Sequence, residues 1–358
     1  FFFLSFYILL IVSSVLSNYI LISLKSSLLS IRFAILIFAI IYISKNSKFF
    51  LKIFFISSFL SIALIFLSGL SQLLFSPDHW VISELINNKS SSKSTVVTGF
   101  FGEEKKLGSF IARLSPLIIG LYLFISNKEM KKKINSVLLY FTPLFLMGFF
   151  TSERMAMLYL SLTLFFLLIL SIKCNKKNIY KIIIISMLPF IFFFSKINEF
   201  QLTVENSYKQ LFDKGKINYF SNQHEAFALT SIKLFKENPI IGVGPNNYRR
   251  ECSTIKLNYI ENNCSTHPHN IFFQLLAETG ILGIFYYLII NLFIFHKIIK
   301  FLFAKKDSEL ELFLLLPIFY YVNPFFPSGN FFNNWYTAIS LISLPFYIYL
   351  TNKKYSAK

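Results

Sequence analysis

Long apolar runs recur along the whole sequence and are separated by short polar segments. They lie near residues 1–22, 28–44, 50–75, 108–126, 134–150, 155–172, 178–195, 269–296, 310–326 and 335–350. A helix needs about 20 apolar residues to cross a bilayer, and most of these runs approach that length. The pattern therefore predicts an all-α, polytopic transmembrane bundle of about ten spans.

The polar segments between the runs fall into two families. One family carries 18 of the 35 basic residues in five short stretches, namely 45–52, 128–133, 173–181, 297–306 and 353–358. By the positive-inside rule these stretches are cytoplasmic. The other family contains two long segments, 76–107 and 196–268. Alternation of the spans then predicts that both long segments lie outside and that the C-terminus is cytoplasmic.

This alternation predicts three regions: helices with a shorter outer loop at 76–107 in residues 1–195, one large outer loop at 196–268, and C-terminal helices in 269–358. Because the chain does not begin with methionine, we expect its natural start to be missing. Residues 87–95 are rich in serine and indicate a mobile loop. The stretch 221–237 has apolar residues at roughly helical spacing and stops at Asn-Pro, so it predicts an amphipathic helix.

Composition and charge agree with the membrane interpretation. Hydrophobic residues make up 55% of the chain and aromatic residues 19%, which is typical of a polytopic membrane protein. The net charge of +18 could point to nucleic acid, but the lysines follow the predicted cytoplasmic loops rather than one soluble face. The large loop is nearly balanced, with nine basic and seven acidic residues. The basicity therefore reflects topology, and no nucleic-acid partner is expected.

The three cysteines allow two interpretations. Cys252 and Cys264 both lie in the large outer loop, where oxidation is allowed, so the simplest prediction is a disulfide. Cys174 lies in a cytoplasmic connection and is expected to be a reduced thiol. The alternative is a metal site, because Cys252, Cys264, His267 and His269 form a C-x11-C-x2-H-x-H series. That spacing matches none of the common zinc patterns.

The stretch STHPHNIFFQLLAETG at 265–280 places polar residues at the start of an apolar run. Pro268 suits the first turn of a helix, with Thr266 or His267 as its cap. His267 and His269 would stand at the water boundary, where a near-neutral imidazole can exchange protons. The sequence leaves a structural role for these histidines open.

Within the same helix, Asn270, Gln274 and Glu278 recur every four residues and form one polar stripe. Glu278 would lie roughly 13 Å deeper than His269 at 1.5 Å per residue. An ionisable group at that depth indicates either a functional site or a packing contact with another helix, for which Arg113 is a candidate partner. Gly280 and Gly283 are interpreted as close-packing positions.

Arginine is rare, and its positions point to an anion. The five arginines are Arg32, Arg113, Arg154, Arg249 and Arg250. The last three are predicted to lie on the outer side with the histidines. Guanidinium groups bind phosphate bidentately, so the pattern indicates a phosphate or pyrophosphate ligand. For Arg154 the alternatives are a salt bridge to Glu153 or a snorkelling side chain at a helix end.

Two further carboxylates, Glu103 and Glu104, stand at the predicted start of the next helix within TGFFGEEKKLGSF. The helix macrodipole would favour carboxylates there, which gives them a structural explanation.

These motifs resemble, in order and spacing, the O-antigen ligase/O-antigen polymerase superfamily of bacterial inner membranes. The matching blocks are TGFFGEEKKLGS, TSERMA, ENPIIGVGPNNYR and THPHNIFFQLLAETGILG, and the resemblance covers roughly residues 95–290. The last block, a His-Asn pair that opens a helix followed by E-x-G-x-x-G, is the most specific.

The resemblance implies a multi-pass inner-membrane glycosyltransferase whose outer loops are periplasmic. Such an enzyme transfers a glycan with inversion from an undecaprenyl-pyrophosphate-linked donor to an acceptor hydroxyl, with no metal or other cofactor. The acceptor would be a lipid A core or a second lipid-linked glycan, which separates ligase from polymerase. A channel or transporter lined by Arg113, Gln274 and Glu278 is the alternative function from another class.

Individual roles follow from the same resemblance. His269, directly before asparagine, would be the general base or position the acceptor, and His267 would assist it or be a loop residue. Arg154 would bind the donor pyrophosphate, and Arg249 would be a second phosphate contact. Many family members carry an arginine early in the large loop, whereas this chain has Gln223 and His224 there. Either His224 and Arg249 share the phosphate-binding role of that arginine, or the second phosphate contact is built differently in this chain. The remaining candidates, which would support the site, are Arg250, Glu104, Asn270, Gln274 and Glu278.

Overall fold

The computed structural model describes residues 2–47, 49–75, 96–174, 204–206, 208–209, 212–213, 216–217, 221–257, 263–303 and 309–356. Within them the chain is almost entirely helical. The helices are α1 (Phe2–Val15), α2 (Ile20–Asn46), α3 (Phe50–Phe75), α4 (Leu107–Ile125), α5 (Met130–Phe150), α6 (Arg154–Cys174), α7 (Asn222–Glu237), α8 (Tyr248–Glu251), α9 (Ile271–Phe303), α10 (Glu309–Val322), α11 (Asn334–Leu341) and α12 (Ser343–Ser356). Short 3-10 turns cover Gly99–Phe101 and Cys252–Thr254, and β1 (Phe212–Asp213) pairs antiparallel with β2 (Lys216–Ile217).

Six helices in the described part of the chain are long and apolar enough to cross a membrane, namely α2 to α6 and α9. Two apolar stretches, α1 and residues Glu311–Val322 of α10, are shorter. The all-helical, multi-pass prediction is confirmed at this level, while the number of about ten spans stays a prediction. The predicted run 178–195 and the serine-rich stretch 87–95 lie outside the described residues.

The ends of the chain depart from the predicted spans. The run 1–22 is not one span, because α1 ends at Val15 and α2 begins at Ile20. The Ser17 hydroxyl donates to the Ser14 carbonyl, a local bond that competes with the helical ladder. Apolar residues on both sides of this turn hide it in the hydropathy pattern. The run 335–350 is likewise divided at Ile342 between α11 and α12.

The chain forms two compact units. The first contains Phe1–Lys45, Lys209–Ile299 and Ile318–Lys358, and the second contains Asn46–Tyr208 and Lys300–Pro317. The histidines and the arginine pair at 249–250 belong to the first unit. Arg154 and Glu104 belong to the second. Each unit is therefore considered by itself.

A break in α9 organises the first unit. Gly280 has φ +62°, so the helical hydrogen-bond ladder is interrupted there. The loop 239–244 fills the gap: the N–H groups of Val243 and Gly244 donate to the carbonyls of Ala277 and Glu278 at 2.9 and 3.0 Å. In return, the helical N–H groups at 281 and 282 donate to carbonyls of that loop. The close-packing interpretation of Gly280 is confirmed, because a Cβ there would lie 2.5 Å from the loop backbone.

In the second unit, the turn between α5 and α6 supplies the N-terminal cap of α4. The Glu153 carboxylate accepts from the N–H groups of Gly108 and Ser109 at 2.7 and 3.1 Å and from the Ser109 hydroxyl at 2.6 Å. The first N–H groups of a helix have no partner within the helix, and a negatively charged side chain that accepts from them stabilises it. Glu103 and Glu104 precede the helix but do not lie in its first turn, and Glu104 is 63% exposed and pairs with Lys106.

We therefore expect Glu153→Ala to lower the free energy of unfolding by about 1–2 kcal/mol, the usual cost of losing an N-cap. Thermal unfolding of the detergent-solubilised protein would measure this. Glu153→Gln keeps an acceptor oxygen and should lose less, and Glu104→Ala serves as the exposed control. Equal melting temperatures for Glu153→Ala and Glu104→Ala would contradict the capping role.

Candidate functional site

Three histidines meet in the first unit. The ring centroids of His267 and His269 are 4.2 Å apart, and those of His224 and His269 are 5.7 Å apart. The Phe227 ring, one turn along α7 from His224, stacks on His269 at 5.5 Å. The predicted helix at 221–237 is confirmed as α7, which stops at the predicted Asn238. It carries His224 to the loop that holds the other two histidines.

The backbone of His269 is held in an uncommon conformation. Its φ is +57°, in the left-handed region, and its carbonyl accepts from the Ser328 N–H at 2.7 Å. Residues held in this region tend to cluster at functional sites. The prediction that Pro268 lies in the first helical turn is wrong, because α9 begins at Ile271. The Asn270 side chain accepts from the Phe273 N–H at 3.3 Å and is the cap instead.

Burial keeps the histidines neutral. It lowers the pKa of His269 below its ordinary value, and neighbouring His224 adds to the effect. Burial also lowers the pKa of His224. For His267, burial and His269 together lower the pKa to about 3, and the positive charge of Arg249 acts in the same direction. An imidazole with a pKa near 3 is a poor proton acceptor at neutral pH, so His269 is the better candidate base.

Hydroxyl groups fix each imidazole ring. The Ser265 hydroxyl lies 3.3 Å from Nε2 of His269, and the Thr266 hydroxyl lies 3.0 Å from Nδ1 of His267. Ser221, the cap of α7, lies 2.7 Å from Nδ1 of His224. Because these contacts restrain the rings, the cluster is a built arrangement and not three independent surface side chains.

The arginine turn, defined here as residues 242–250, stands on the polar stripe of α9. Tyr248 begins the short helix α8, and its N–H donates to the Glu278 carboxylate at 2.9 Å. The Arg249 guanidinium is exposed and donates to the side-chain oxygen of Asn246 at 2.6 Å. Arg250 is exposed beside it. The buried Glu278 thus anchors the segment that presents the two arginines, which favours its packing interpretation.

A chain of amides joins the stripe to this turn. The Gln274 side-chain NH₂ donates to the Glu278 carboxylate at 3.0 Å and to the Asn330 oxygen at 2.8 Å. The Asn330 NH₂ in turn lies 3.4 Å from the Asn246 oxygen that Arg249 contacts. The predicted stripe is therefore confirmed. Arg113, its other candidate partner, belongs to the second unit, where it donates to the Ser109 carbonyl.

The sequence analysis did not predict that residues of the segment 324–333 help to hold the site. Ser328 hydrogen-bonds at the end of residues 264–270, called the histidine loop here: its N–H donates to the His269 carbonyl, and its hydroxyl accepts from the Ile271 N–H at 2.8 Å. Asn270 donates to the carbonyls of Pro324 and Phe326. The signal was present as PSGNFFNN, a polar interruption between two apolar runs.

The predicted disulfide between Cys252 and Cys264 is confirmed, with a Cα–Cα distance of 5.0 Å. It ties the residue after α8 to the start of the histidine loop and lies against a small core that includes Leu234, Tyr248 and Ala277. The zinc alternative is wrong, because the bond uses both of the thiols that it required. Because the disulfide uses the other two cysteines of the chain, Cys174 remains a thiol, as predicted.

Arg154 is the first residue of α6 and is exposed. Its neighbour Glu153 is engaged in capping α4. Since Arg154 and Glu104 lie in the other unit, their participation in one site with the histidines stays a prediction.

These features define a multi-pass membrane protein with a histidine and arginine site beside its last long span. Residues 139–288, somewhat less than half of the chain, match the family model described as O-antigen ligase. The matched stretch includes the histidine cluster and the arginine turn, and it confirms the resemblance to the O-antigen ligase/polymerase superfamily. No significant match was found among curated proteins or solved structures. At a coarse level, the family implies glycosyltransferase-type activity on lipid-linked glycans.

Proposed function

We propose that this protein transfers a glycan from an undecaprenyl-pyrophosphate-linked donor to an acceptor hydroxyl at the periplasmic face, as a ligase or polymerase. The proposal rests on one observation: the imidazoles of His224, His267 and His269 pack together in their neutral form, and the exposed Arg249 is close enough to influence the pKa of His267. A neutral imidazole can accept a proton, and an exposed guanidinium can bind pyrophosphate. Nothing in the described residues favours transport, because Gln274 and Glu278 of the polar stripe form hydrogen bonds with other groups of the protein.

The proposed reaction is a single displacement. The acceptor oxygen attacks the anomeric carbon of the donor sugar from the face opposite the pyrophosphate, and the bond from carbon to phosphate oxygen breaks. His269 takes the hydroxyl proton, and the leaving group departs as lipid pyrophosphate. Inversion follows because one displacement occurs, and no step requires a metal ion. Arg249, with Arg250 beside it, would stabilise the charge that develops on the leaving group.

The other candidate residues have supporting roles in this proposal. His224 and His267 exclude water from one side of His269 and restrain its ring, while Glu278 and Gln274 hold the arginine turn. Arg154 is proposed as a further donor contact supplied by the second unit. Glu104 has no role that its exposed position supports.

Reconstitution of the purified protein in nanodiscs tests the proposal. The protein would receive an undecaprenyl-pyrophosphate oligosaccharide, candidate acceptors and a chelator. We expect sugar transfer to proceed with the chelator present, and the acceptor used would separate ligase from polymerase. Absence of transfer to every acceptor by folded, full-length protein would contradict the proposal.

Arg249→Ala should weaken donor use by about 10- to 100-fold, the usual worth of a charge-assisted contact, and should act mainly on the KM for the donor. Arg249→Lys should retain part of the activity, because it keeps the charge without the planar fork. Lys256→Ala is the matched control, since Lys256 is an exposed cation of the same loop. Equal losses for Arg249→Ala and Lys256→Ala would indicate a general effect of charge and no phosphate contact at Arg249.

A further inference from the structure

The second unit contains a pocket at the end where α4 and α5 are joined by residues 126–129. Its floor is apolar and is formed by Phe55, Phe59, Ile118, Ile119 and Val137. The helices that supply these residues, α3, α4 and α5, are all long and apolar enough to span a membrane. The medium beside the pocket is therefore lipid, and an occupant must present hydrocarbon to its floor.

The rim of the pocket is polar and cationic. Tyr122, Lys128 and Ser136 line it, and both the Lys128 and Ser136 side chains contact the Tyr122 hydroxyl. Lys52 lies one turn before Phe55 on α3, so it stands on the same helix face as that floor residue. Lys128 thus borders the apolar pocket directly, and Lys52 is a second basic residue one helical turn from its lining.

The lysines are poorly explained by local helix energetics. Lys131, Lys132 and Lys133 occupy the first turn of α5, where the macrodipole disfavours cations. Lys133 donates to the Leu123 carbonyl at 2.8 Å, and Lys132 lies 3.9 Å from Glu129. These contacts offset only part of the charge. The positive-inside rule accounts for lysines in this connection but not for the position of Lys128 in the lining of an apolar pocket.

One buried polar group also lacks a counterpart among the described residues. The Tyr140 hydroxyl, which belongs to a residue of the pocket lining, is buried without a hydrogen-bond partner there. Tyr140 lies one turn beyond Ser136 on α5, or about 6 Å further along the helix at 1.5 Å per residue. That offset is close to the thickness of the headgroup region on one side of a bilayer, roughly 5–7 Å. An unsatisfied buried hydroxyl is costly, so a ligand acceptor at this depth would stabilise it.

We propose that this pocket binds an anionic phospholipid. The phosphate contacts Lys128 at the rim, an ester carbonyl accepts from the Tyr140 hydroxyl, and an acyl chain covers Phe55 and Phe59. An anionic headgroup satisfies the Lys128 cation, and only an amphiphile also satisfies the apolar floor. The site lies within the second unit and is independent of the glycan-transfer chemistry.

Lipid titration in neutral detergent tests this site. The purified full chain would be titrated separately with phosphatidylglycerol, phosphatidylcholine and inorganic phosphate, with melting temperature and native mass spectrometry as readouts. We expect phosphatidylglycerol to raise the melting temperature and remain bound, and inorganic phosphate to do neither. Lys128→Ala should weaken phosphatidylglycerol binding by about 5-fold, from one surface cation.

Two further variants separate this site from general effects. Ser136→Trp plugs the pocket from its half-exposed rim and should abolish lipid retention without removing a charge. Lys105→Ala, an exposed lysine just before the opposite end of α4, should bind lipid like the wild type. Equal stabilisation by phosphatidylcholine, equal stabilisation by phosphate, or equal loss in Lys105→Ala would each overturn the proposal. Melting temperatures without added lipid would identify any variant that fails to fold.

Discussion

His269→Ala is expected to reduce glycan transfer by at least about 100-fold, the lower range for loss of a general base. The reason is that His269 alone combines a half-buried neutral ring with a position at the centre of the histidine cluster. Transfer of a labelled donor glycan by purified protein would measure the effect. His296→Ala is the matched control, because His296 is exposed far along α9 from the cluster.

A second substitution at the same position separates chemistry from loop geometry. Asparagine adopts positive φ more readily than alanine, so His269→Asn should preserve the left-handed backbone and the bond from Ser328. It cannot act as a base, and its transfer rate should be as low as that of His269→Ala. Near-normal transfer by His269→Asn would show that position 269 serves the loop and not the proton transfer.

The pH dependence of the wild-type enzyme follows from the same residue. Because burial lowers the pKa of His269 below its ordinary value, the base stays unprotonated at neutral pH. Activity should therefore be constant as the pH falls from 8 towards the ordinary histidine value of about 6.5 and decline only below it. An acidic limb centred above that value would argue against His269 as the base.

Gly242→Ala is expected to have the largest effect on stability. A Cβ at Gly242 would lie 2.4 Å from the backbone of Glu278 and Thr279, and the φ of +68° is itself unfavourable for alanine. The loop would have to leave α9, which would break the hydrogen bonds that replace the helical ladder at Gly280. We expect loss of monodisperse, folded protein in size-exclusion chromatography, together with loss of transfer.

Gly102→Ala is the matched control for this prediction. Gly102 has a similar φ of +60°, but a Cβ there would meet nothing within 4 Å. That variant should lose only the conformational free energy of a sparsely populated backbone region, about 1–3 kcal/mol. The difference between the two melting temperatures therefore measures the steric part. If the two variants melt at the same temperature, the close crossing of the loop over α9 is absent.

Several parts of the site could be predicted because they rest on local spacing. The four-residue repeat of Asn270, Gln274 and Glu278 predicts one helix face, and the pairing of Cys252 with Cys264 follows from a short separation in one loop. The amphipathic pattern of 221–237 and its Asn-Pro stop predict α7. Each of these depends on residues close together in the chain, so that the helical period or the loop length alone decides the outcome.

Other parts could not be predicted, because the partners are distant in the chain. The cap of α4 comes from Glu153, although Glu103 and Glu104 are nearer in sequence. The start of α9 is set by Asn270 and by the bonds from Ser328, although Pro268 satisfies the local rule. In both cases a tertiary contact outcompetes a nearer candidate, because buried N–H groups select the best available acceptor.

By itself, the sequence determined that this protein is helical, has helices long and apolar enough to span a membrane, and is similar in its motifs to O-antigen ligases, since hydrophobic period and short motifs are local properties. Only the tertiary structure decided that Glu278 holds the arginine turn, that His224 joins His267 and His269, and that the segment 324–333 fixes the histidine loop. The physical reason is that burial and hydrogen bonding depend on which distant segments meet. A sequence pattern specifies each segment's preference, but the packed chain sets the environment that makes His269 neutral.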